Sequence, residues 1–174
     1  IAFLQKLSPM LTVHASLSQG YSPPTFFEVI SPQGAIDLSL EPERGTNYEL
    51  GIRADLLGKA LQLELTAYRM QLKDAILPET QADGQTLFFN KGETRQDGIE
   101  VKASWQHTQL PGWELLRLWS AYSYQPYEFK DYLKEGNQLE GNSLPGVPLH
   151  QLIVGVDARI SSGFYGQLTL KHYG

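Results

Sequence analysis

Along most of this chain, large apolar side chains hold every second position and polar or charged ones hold the positions between. In 45–53, Tyr48, Leu50 and Ile52 alternate with Glu49, Gly51 and Arg53, the period-two signature of a strand with one greasy and one charged face. The same pattern predicts a strand over 10–22, with Leu11, Val13, Ala15 and Leu17 opposite Thr12, His14, Ser16 and Ser18, ended before Pro23 and Pro24. A second strand covers about 45–55, and after a tight turn at 55–59 a long strand returns over 60–76, with Leu61, Leu63, Leu65 and Ala67 facing away from Gln62, Glu64 and Thr66. A polar connection at 78–85 leads to a strand whose end, 98–105, sets Ile99, Val101, Ala103 and Trp105 against Glu100, Lys102 and Ser104. A strand at 113–127 follows a turn at Pro111-Gly112; its outward set is Leu116, Leu118, Tyr122 and Tyr124, which turns Arg117 inward. After a polar, Gly-rich loop at 128–147, strands at 148–160 and 163–173 are joined by Ser161-Ser162-Gly163. Thr25-Phe26-Phe27-Glu28 has capping-box spacing and predicts a short helical turn.

The charged faces decide what surrounds these strands. Glu49 and Arg53 turned into a dry core would need full pairing, because unpaired buried charges cost several kcal/mol. A water-filled lumen removes that cost. The predicted connections alternate in length, short at 55–59, 106–112 and 161–163 and long at 22–44, 77–88 and 128–147, the asymmetry of outer-membrane barrels. The strands also meet the roughly 9 to 11 residues needed to cross a bilayer at a tilt. Trp105 and Trp113 flank a short turn, whereas Tyr21, Tyr122, Tyr124 and Tyr127 lie near long loops, as two interfacial aromatic girdles require. The fold class read from the pattern is all-β, an antiparallel transmembrane β-barrel segment. A soluble lipocalin-like barrel is the competing reading, because the strand pattern also fits an aliphatic face turned inward.

Composition narrows the picture further. The 174 residues contain no cysteine, and their formal net charge of −5 is dispersed along the chain, which argues against a nucleic-acid surface. No apolar run approaches the roughly 20 residues of a spanning helix. Ile1-Ala2-Phe3-Leu4 opens as though in mid-strand, so the chain reads as a piece of something longer.

Four segments carry a family resemblance. The segments 18–28 (with Gly20-Tyr21 before Pro24-Thr25), 40–53 (Leu40-Glu41-Pro42-Glu43 leading to Tyr48-Glu49-Leu50-Gly51), 89–100 (Asn90-Lys91-Gly92, then Gly98-Ile99-Glu100) and 142–150 (Pro145-Gly146-Val147-Pro148-Leu149-His150) resemble, in order, barrel segments of TonB-dependent outer-membrane receptors. The resemblance implies about seven complete strands here out of a roughly 22-stranded barrel, with 1–174 a partial barrel domain lacking the plug, the early strands and the C-terminal strands. It implies location in the outer membrane of a Gram-negative cell, in contact with outer-membrane lipid. It further implies active uptake of a scarce bulky nutrient, most often a ferric siderophore, energised through the TonB complex, with a plug domain of the parent chain seated in the lumen. No cofactor, enzymatic chemistry or nucleic acid follows from it.

On this reading Glu49, Arg53, Glu64, Glu100, Lys102, Asp157 and Arg159 form a charged lumen wall that meets the plug, although cross-strand pairing in a wet lumen accounts for the same charges. Tyr21, Phe26, Phe27 and Tyr127 are the candidates for holding ligand at the outer mouth. His14, His107, His150 and His172 are too dispersed for a metal site. Ser16 near His14 lacks an evident orienting acid, so a hydrolase is not favoured. Asp83-Gly84 and Asp97-Gly98 read as turn or bulge elements rather than a calcium loop.

Overall fold

Strands of this length need partners for their backbone N–H and C=O groups, and each finds at least one in a neighbouring strand. The computed structural model describes residues 1–31, 34–81, 83–108, 110–134 and 137–174, the side chains of 133, 134 and 137 excepted. The portions of the predicted connections at 32–33, 82, 109 and 135–136 lie outside the described residues. The strands are β1 (Ala2–Ser8), β2 (Leu11–Ser22), β3 (Glu43–Leu56), β4 (Leu61–Lys73), β5 (Ile76–Thr80), β6 (Thr86–Asn90), β7 (Glu93–His107), β8 (Trp113–Tyr124), β9 (Tyr127–Asp131), β10 (Leu133–Lys134), β11 (Asn137–Gln138), β12 (His150–Ile160) and β13 (Tyr165–Tyr173). A four-residue helix, α1 (Phe26–Val29), follows β2, and the Glu28 carboxylate accepts the Thr25 backbone N–H at 2.6 Å, as the capping-box spacing anticipates.

The main sheet runs β1-β2-β3-β4-β7-β8-β12-β13, antiparallel throughout, with β9 added beside β7. The sheet is not closed. Register sorts its side chains into two faces. On one face Ala15, Leu50, Ala67, Ile99 and Tyr124 make one cross-strand row, and Val13, Ile52, Leu65, Val101, Tyr122 and Leu152 make the next. Leu61, Trp105, Leu118, Val156 and Leu168 continue the aliphatic face toward the short turns. Rows are about 6.8 Å apart along a strand, so with a tilt of roughly 40° this band is on the order of 20 Å tall, close to the height of a barrel's lipid-facing belt. The band is uncovered: Leu50 is 60 % and Leu168 62 % exposed. Among the described residues the only buried apolar side chains are Ala75 and Ile76. A lipocalin-like barrel would turn these rows into a dry interior, and that arrangement is absent.

Two predicted connections carry more structure than the pattern suggests. The return strand predicted over 60–76 stops at Lys73, because Asp74 adopts a left-handed conformation at φ 57°. Asn90 locks that corner, its amide donating to the carbonyls of Asp74 at 2.8 Å and Glu41 at 2.7 Å while its oxygen accepts the Glu41 N–H at 2.7 Å. From there β5 and β6 form a separate two-stranded hairpin. Its tip carries Gly84 at φ 83°, in line with the turn predicted at Asp83-Gly84. Asp97-Gly98, by contrast, is regular strand without a bulge. In the polar loop at 128–147, β9 pairs with the outer end of β7, and β10 pairs with β11.

The face assignment predicts unequal responses to an introduced charge. Val101→Arg should lower unfolding stability in lipid vesicles by about 2–4 kcal/mol, whereas Gln62→Arg on the opposite face should cost less than about 1 kcal/mol. Denaturant titration of both variants checks this, and equal losses would refute the two-face assignment.

Candidate functional site on the charged face

The face opposite the aliphatic band carries most titratable groups of the membrane-level rows, and their placement follows from register alone; Arg44, Arg69, Lys73 and Asp97 lie on the band's side, beyond its outermost aliphatic row. Thr12, Arg53, Glu64 and Lys102 occupy one row; His14, Gly51, Thr66 and Glu100 occupy the next, and Ser16, Glu49, Tyr68 and Gly98 the one after. Arg53 donates to Glu64 through Nη2 at 2.7 Å and Nε at 3.0 Å. Lys102 sits 3.8 Å from Glu64 and 3.3 Å from Glu100, and His14 lies 3.5 Å from Glu49. Nearer the short turns, Arg117 donates to Ser104 at 3.1 Å and faces Asp157 at 3.8 Å. Asp157 is itself buried, and its Oδ1 has no hydrogen-bond partner. Arg159 closes the series with its guanidinium over the Tyr165 ring, 5.9 Å from the centroid.

The structure thus places all seven expected charged residues on one face, where Arg53, Glu64, Lys102 and Glu100 form a chain of alternating sign. Each exposed pair is worth about 0–1 kcal/mol. That is enough to orient side chains and too little to prevent exchange for other partners.

Sequence reasoning put His14 on this face but missed Tyr68 and Trp119 there, and missed how all three rings are seated. His14 lies over Gly51, Tyr68 over Gly98 and Trp119 over Gly155, each pair directly opposed on adjacent strands. A Cβ added at these glycines would fall 2.2 Å, 2.2 Å and 2.3 Å from the covering ring, so the absence of a side chain is what lets each ring lie flat on the wall. The signal was present as an aromatic and a glycine in neighbouring strands, but only register pairs them.

The four mouth candidates divide into three groups. Phe26 and Phe27 on α1 are exposed and meet edge to face at 5.9 Å. Tyr127 stands on the charged face, its hydroxyl 2.6 Å from that of Tyr68. Burial, and then the hydrogen bond with Tyr68, raise its phenol well above the ordinary value, so it remains a neutral donor and acceptor. Tyr21 belongs to the opposite face, in register with Arg44. A further cavity of about 310 Å³ opens between the α1 loop and the β5–β6 hairpin, bordered by Glu28, Asp37, Phe88 and Phe89. There Ser39 donates to Asp37 from its hydroxyl at 2.6 Å and its N–H at 2.8 Å, holding that carboxyl below the usual range.

Glu49 supplies the acid beside His14 that sequence reading did not find, yet no hydrogen bond joins Ser16 to His14 among the described residues. No cluster of three or more His, Cys, Asp or Glu able to hold a metal ion occurs among the described residues.

The ring contacts predict a non-additive double-mutant cycle. Gly98→Ala should cost about 1–3 kcal/mol by forcing the Tyr68 ring off the wall. In a Tyr68→Ala background the same change should cost close to nothing. Unfolding titrations of the four proteins measure the coupling, and additivity would refute the contact.

Residues 2–173 match the family described as TonB dependent receptor-like, beta-barrel. The chain is 29 % identical over 153 residues to the metal-pseudopaline receptor CntO of Pseudomonas aeruginosa, covering 86 % of this chain and 19 % of that protein. Over 102 residues it is 30 % identical to the ferric-pyoverdine M114 receptor PbuA of Pseudomonas sp. strain M114, covering 56 % of this chain and 11 % of that one. It superposes on the copper transporter OprC with a TM-score of 0.73 at 18 % identity, and on the ferric-catecholate import receptor Fiu of K12 E. coli with 0.69 at 18 % identity. Those superpositions cover 99 % of this chain and 25 % and 24 % of the respective structures. The chain therefore spans about a fifth of the length of CntO. With an uncovered aliphatic belt, a charged opposite face and a family match over nearly its whole length, the chain belongs to the TonB-dependent receptors, as a stretch of their outer-membrane β-barrel.

Proposed function

We propose that this chain forms part of the wall of an outer-membrane receptor that takes up a chelated metal, most often a ferric siderophore, by active transport energised through the TonB complex. The observation that carries the reading is the two-sided sheet: aliphatic rows left uncovered on one face and a ladder of separable ion pairs on the other. Lipid satisfies the first face. A plug domain of the same receptor, seated in a wet lumen, suits the second, because pairs worth about 0–1 kcal/mol can be exchanged without a large barrier. In this arrangement Glu49, Arg53, Glu64, Glu100, Lys102, Asp157 and Arg159 meet the plug or the water around it. Phe26 and Phe27, exposed on the short helix beyond the membrane band, offer rigid aromatic area to a ligand at the mouth, and Tyr127 with Tyr68 offers paired phenols below them. The names of the relatives CntO and PbuA, a metal-pseudopaline and a ferric-pyoverdine receptor, favour a metal chelate as cargo. The family is one of receptors rather than enzymes, and the ligand passes chemically unchanged.

A full-length receptor carrying these residues, expressed in a host lacking its own siderophore receptors, should import radiolabelled iron from one member of a siderophore panel, and deletion of TonB should abolish that import. Uptake that persists without TonB, or no uptake from any panel member, refutes the reading. Replacing Phe26 and Phe27 together with Ala should weaken ligand binding roughly tenfold or more, on the scale of a lost aromatic anchor, while folding is unchanged. Titration of ligand against both proteins measures the difference.

A further inference from the structure

Two of the long loops are tied into one body beyond the outer strand ends. Asn90 of β6 joins the Glu41 backbone to the corner at Asp74, and the Glu43 carboxylate accepts the Ile76 N–H at 2.8 Å. Within the loop after β2, Ile30 pairs with Ile36, the Ser31 N–H donates to the Ala35 carbonyl at 2.8 Å, and the Asp37 N–H donates to the Val29 carbonyl at 2.7 Å. These bonds brace the segment that follows α1, and α1 itself stands beside β6. The cavity of about 310 Å³ between the α1 loop and the β5–β6 hairpin therefore lies between two supported walls.

The lining is mostly apolar. Ile30 and Ile36 come from the α1 loop and Leu87, Phe88 and Phe89 from β6, while the charged residues of the described lining are Glu28 and Asp37. Both carboxylates are held in place without being neutralised. Glu28 uses Oε2 to accept the Thr25 N–H, and Asp37 uses Oδ1 to accept the Ser39 hydroxyl and N–H. Among the described residues neither acid takes part in an ion pair, and no hydrogen bond uses Glu28 Oε1 or Asp37 Oδ2. The loops themselves supply no spare cation: 23–42 and 74–92 contain six acidic side chains and a single basic one, Lys91. Lys91 is already paired with Glu79 and lies over the Phe89 ring, 4.6 Å from its centroid.

Apolar walls with a few fixed polar groups are the chemistry of a small-molecule pocket, and about 310 Å³ lies at the low end of the roughly 300–1,000 Å³ that such pockets span. That volume suits one arm of a metal chelate rather than the whole. We infer that the cavity binds a cationic arm of the cargo, an ammonium or guanidinium paired with the Glu28 and Asp37 carboxylates on a hydrocarbon stem lying against Ile30, Ile36, Leu87 and Phe88. Charge-assisted hydrogen bonds to a carboxylate are about twice as strong as neutral ones, and the faces of nearby rings attract cations. An anionic arm would meet two carboxylates of its own sign. A neutral arm would strip water from both carboxylates without replacing it, which is costly beside apolar walls. The inference rests on the uptake reading, since it names the chemistry of the cargo that these loops grip.

The test uses a full-length receptor carrying these residues in nanodiscs, with pentylammonium as the probe, pentanol and pentanoate as its neutral and anionic counterparts, and saturation-transfer NMR as the readout. Pentylammonium should bind saturably and about tenfold more tightly than pentanol, and pentanoate should not bind. Glu28→Gln and Asp37→Asn should each weaken pentylammonium binding about tenfold, the order set by one charge-assisted hydrogen bond. Both changes keep an acceptor oxygen for the Thr25 and Ser39 bonds, so the loop's own contacts survive. Asp83→Asn removes an equal charge from the tip of the same hairpin and should leave binding unchanged, which separates a site from the general field of the loops. Heat-modifiable gel mobility reports folding, and if one single variant fails to fold the other carries the test. The siderophore that the receptor imports should displace pentylammonium. No pentylammonium binding, equal affinity for pentanol or pentanoate, wild-type affinity in the Glu28→Gln/Asp37→Asn double variant, or an equal loss in Asp83→Asn overturns the inference. Import without displacement overturns it too, marking a site for free amines. Pentylammonium binding with no import from any siderophore supports the cation site and sinks the uptake reading, so the two fail separately.

Discussion

Within hydrocarbon a polar backbone group has no water to turn to, so every N–H and C=O must be paired inside the protein. That requirement governs this chain. Antiparallel pairing runs without interruption from β1 to β13 across the main sheet, and once the register is set, side chains have only two places to go. Because successive residues point to opposite faces, each strand delivers its apolar half to one environment and its polar half to the other. That only Ala75 and Ile76 are buried apolar side chains among the described residues follows directly: the aliphatic residues that would form a core in a soluble protein lie on the outer surface.

The charged face shows how a wall can be ordered without being sticky. Its ion pairs join neighbouring strands, as Arg53 on β3 joins Glu64 on β4, yet both remain partly exposed and each contributes little net stability. Rings lying over glycines do the opposite work. They reduce the relief of the wall and cover backbone that would otherwise face solvent, and their contacts depend on shape rather than charge.

The main strands predicted over 10–22, 45–55 and 98–105 were legible because the apolar alternation is unbroken from Leu11 to Leu17, from Tyr48 to Ile52 and from Ile99 to Trp105. The seven charged residues were legible for the same reason, since parity along each strand assigns them to one face. The connections were not. The pattern over 60–76 continues past Lys73 without a visible break, and only the left-handed Asp74 together with Asn90's three hydrogen bonds turns the chain into a separate hairpin. Tyr21 illustrates a subtler failure: its position next to a loop suggested the mouth, whereas register aligns it with Arg44 and Lys73 on the face of the aliphatic band.

What the sequence by itself determined was therefore everything that depends on period two: the all-β class, the two faces, the asymmetric loops and, through four matching segments, the receptor family. What only the tertiary structure decided was everything that depends on which residues oppose one another across strands. The rings over Gly51, Gly98 and Gly155, the Tyr68–Tyr127 hydroxyl pair, the acid beside His14 and the cations around Tyr21 all join residues distant in the chain. Periodicity is a local property of the strand, whereas register is set by turns and pairing between strands, and a one-residue slip would reassign every one of these contacts.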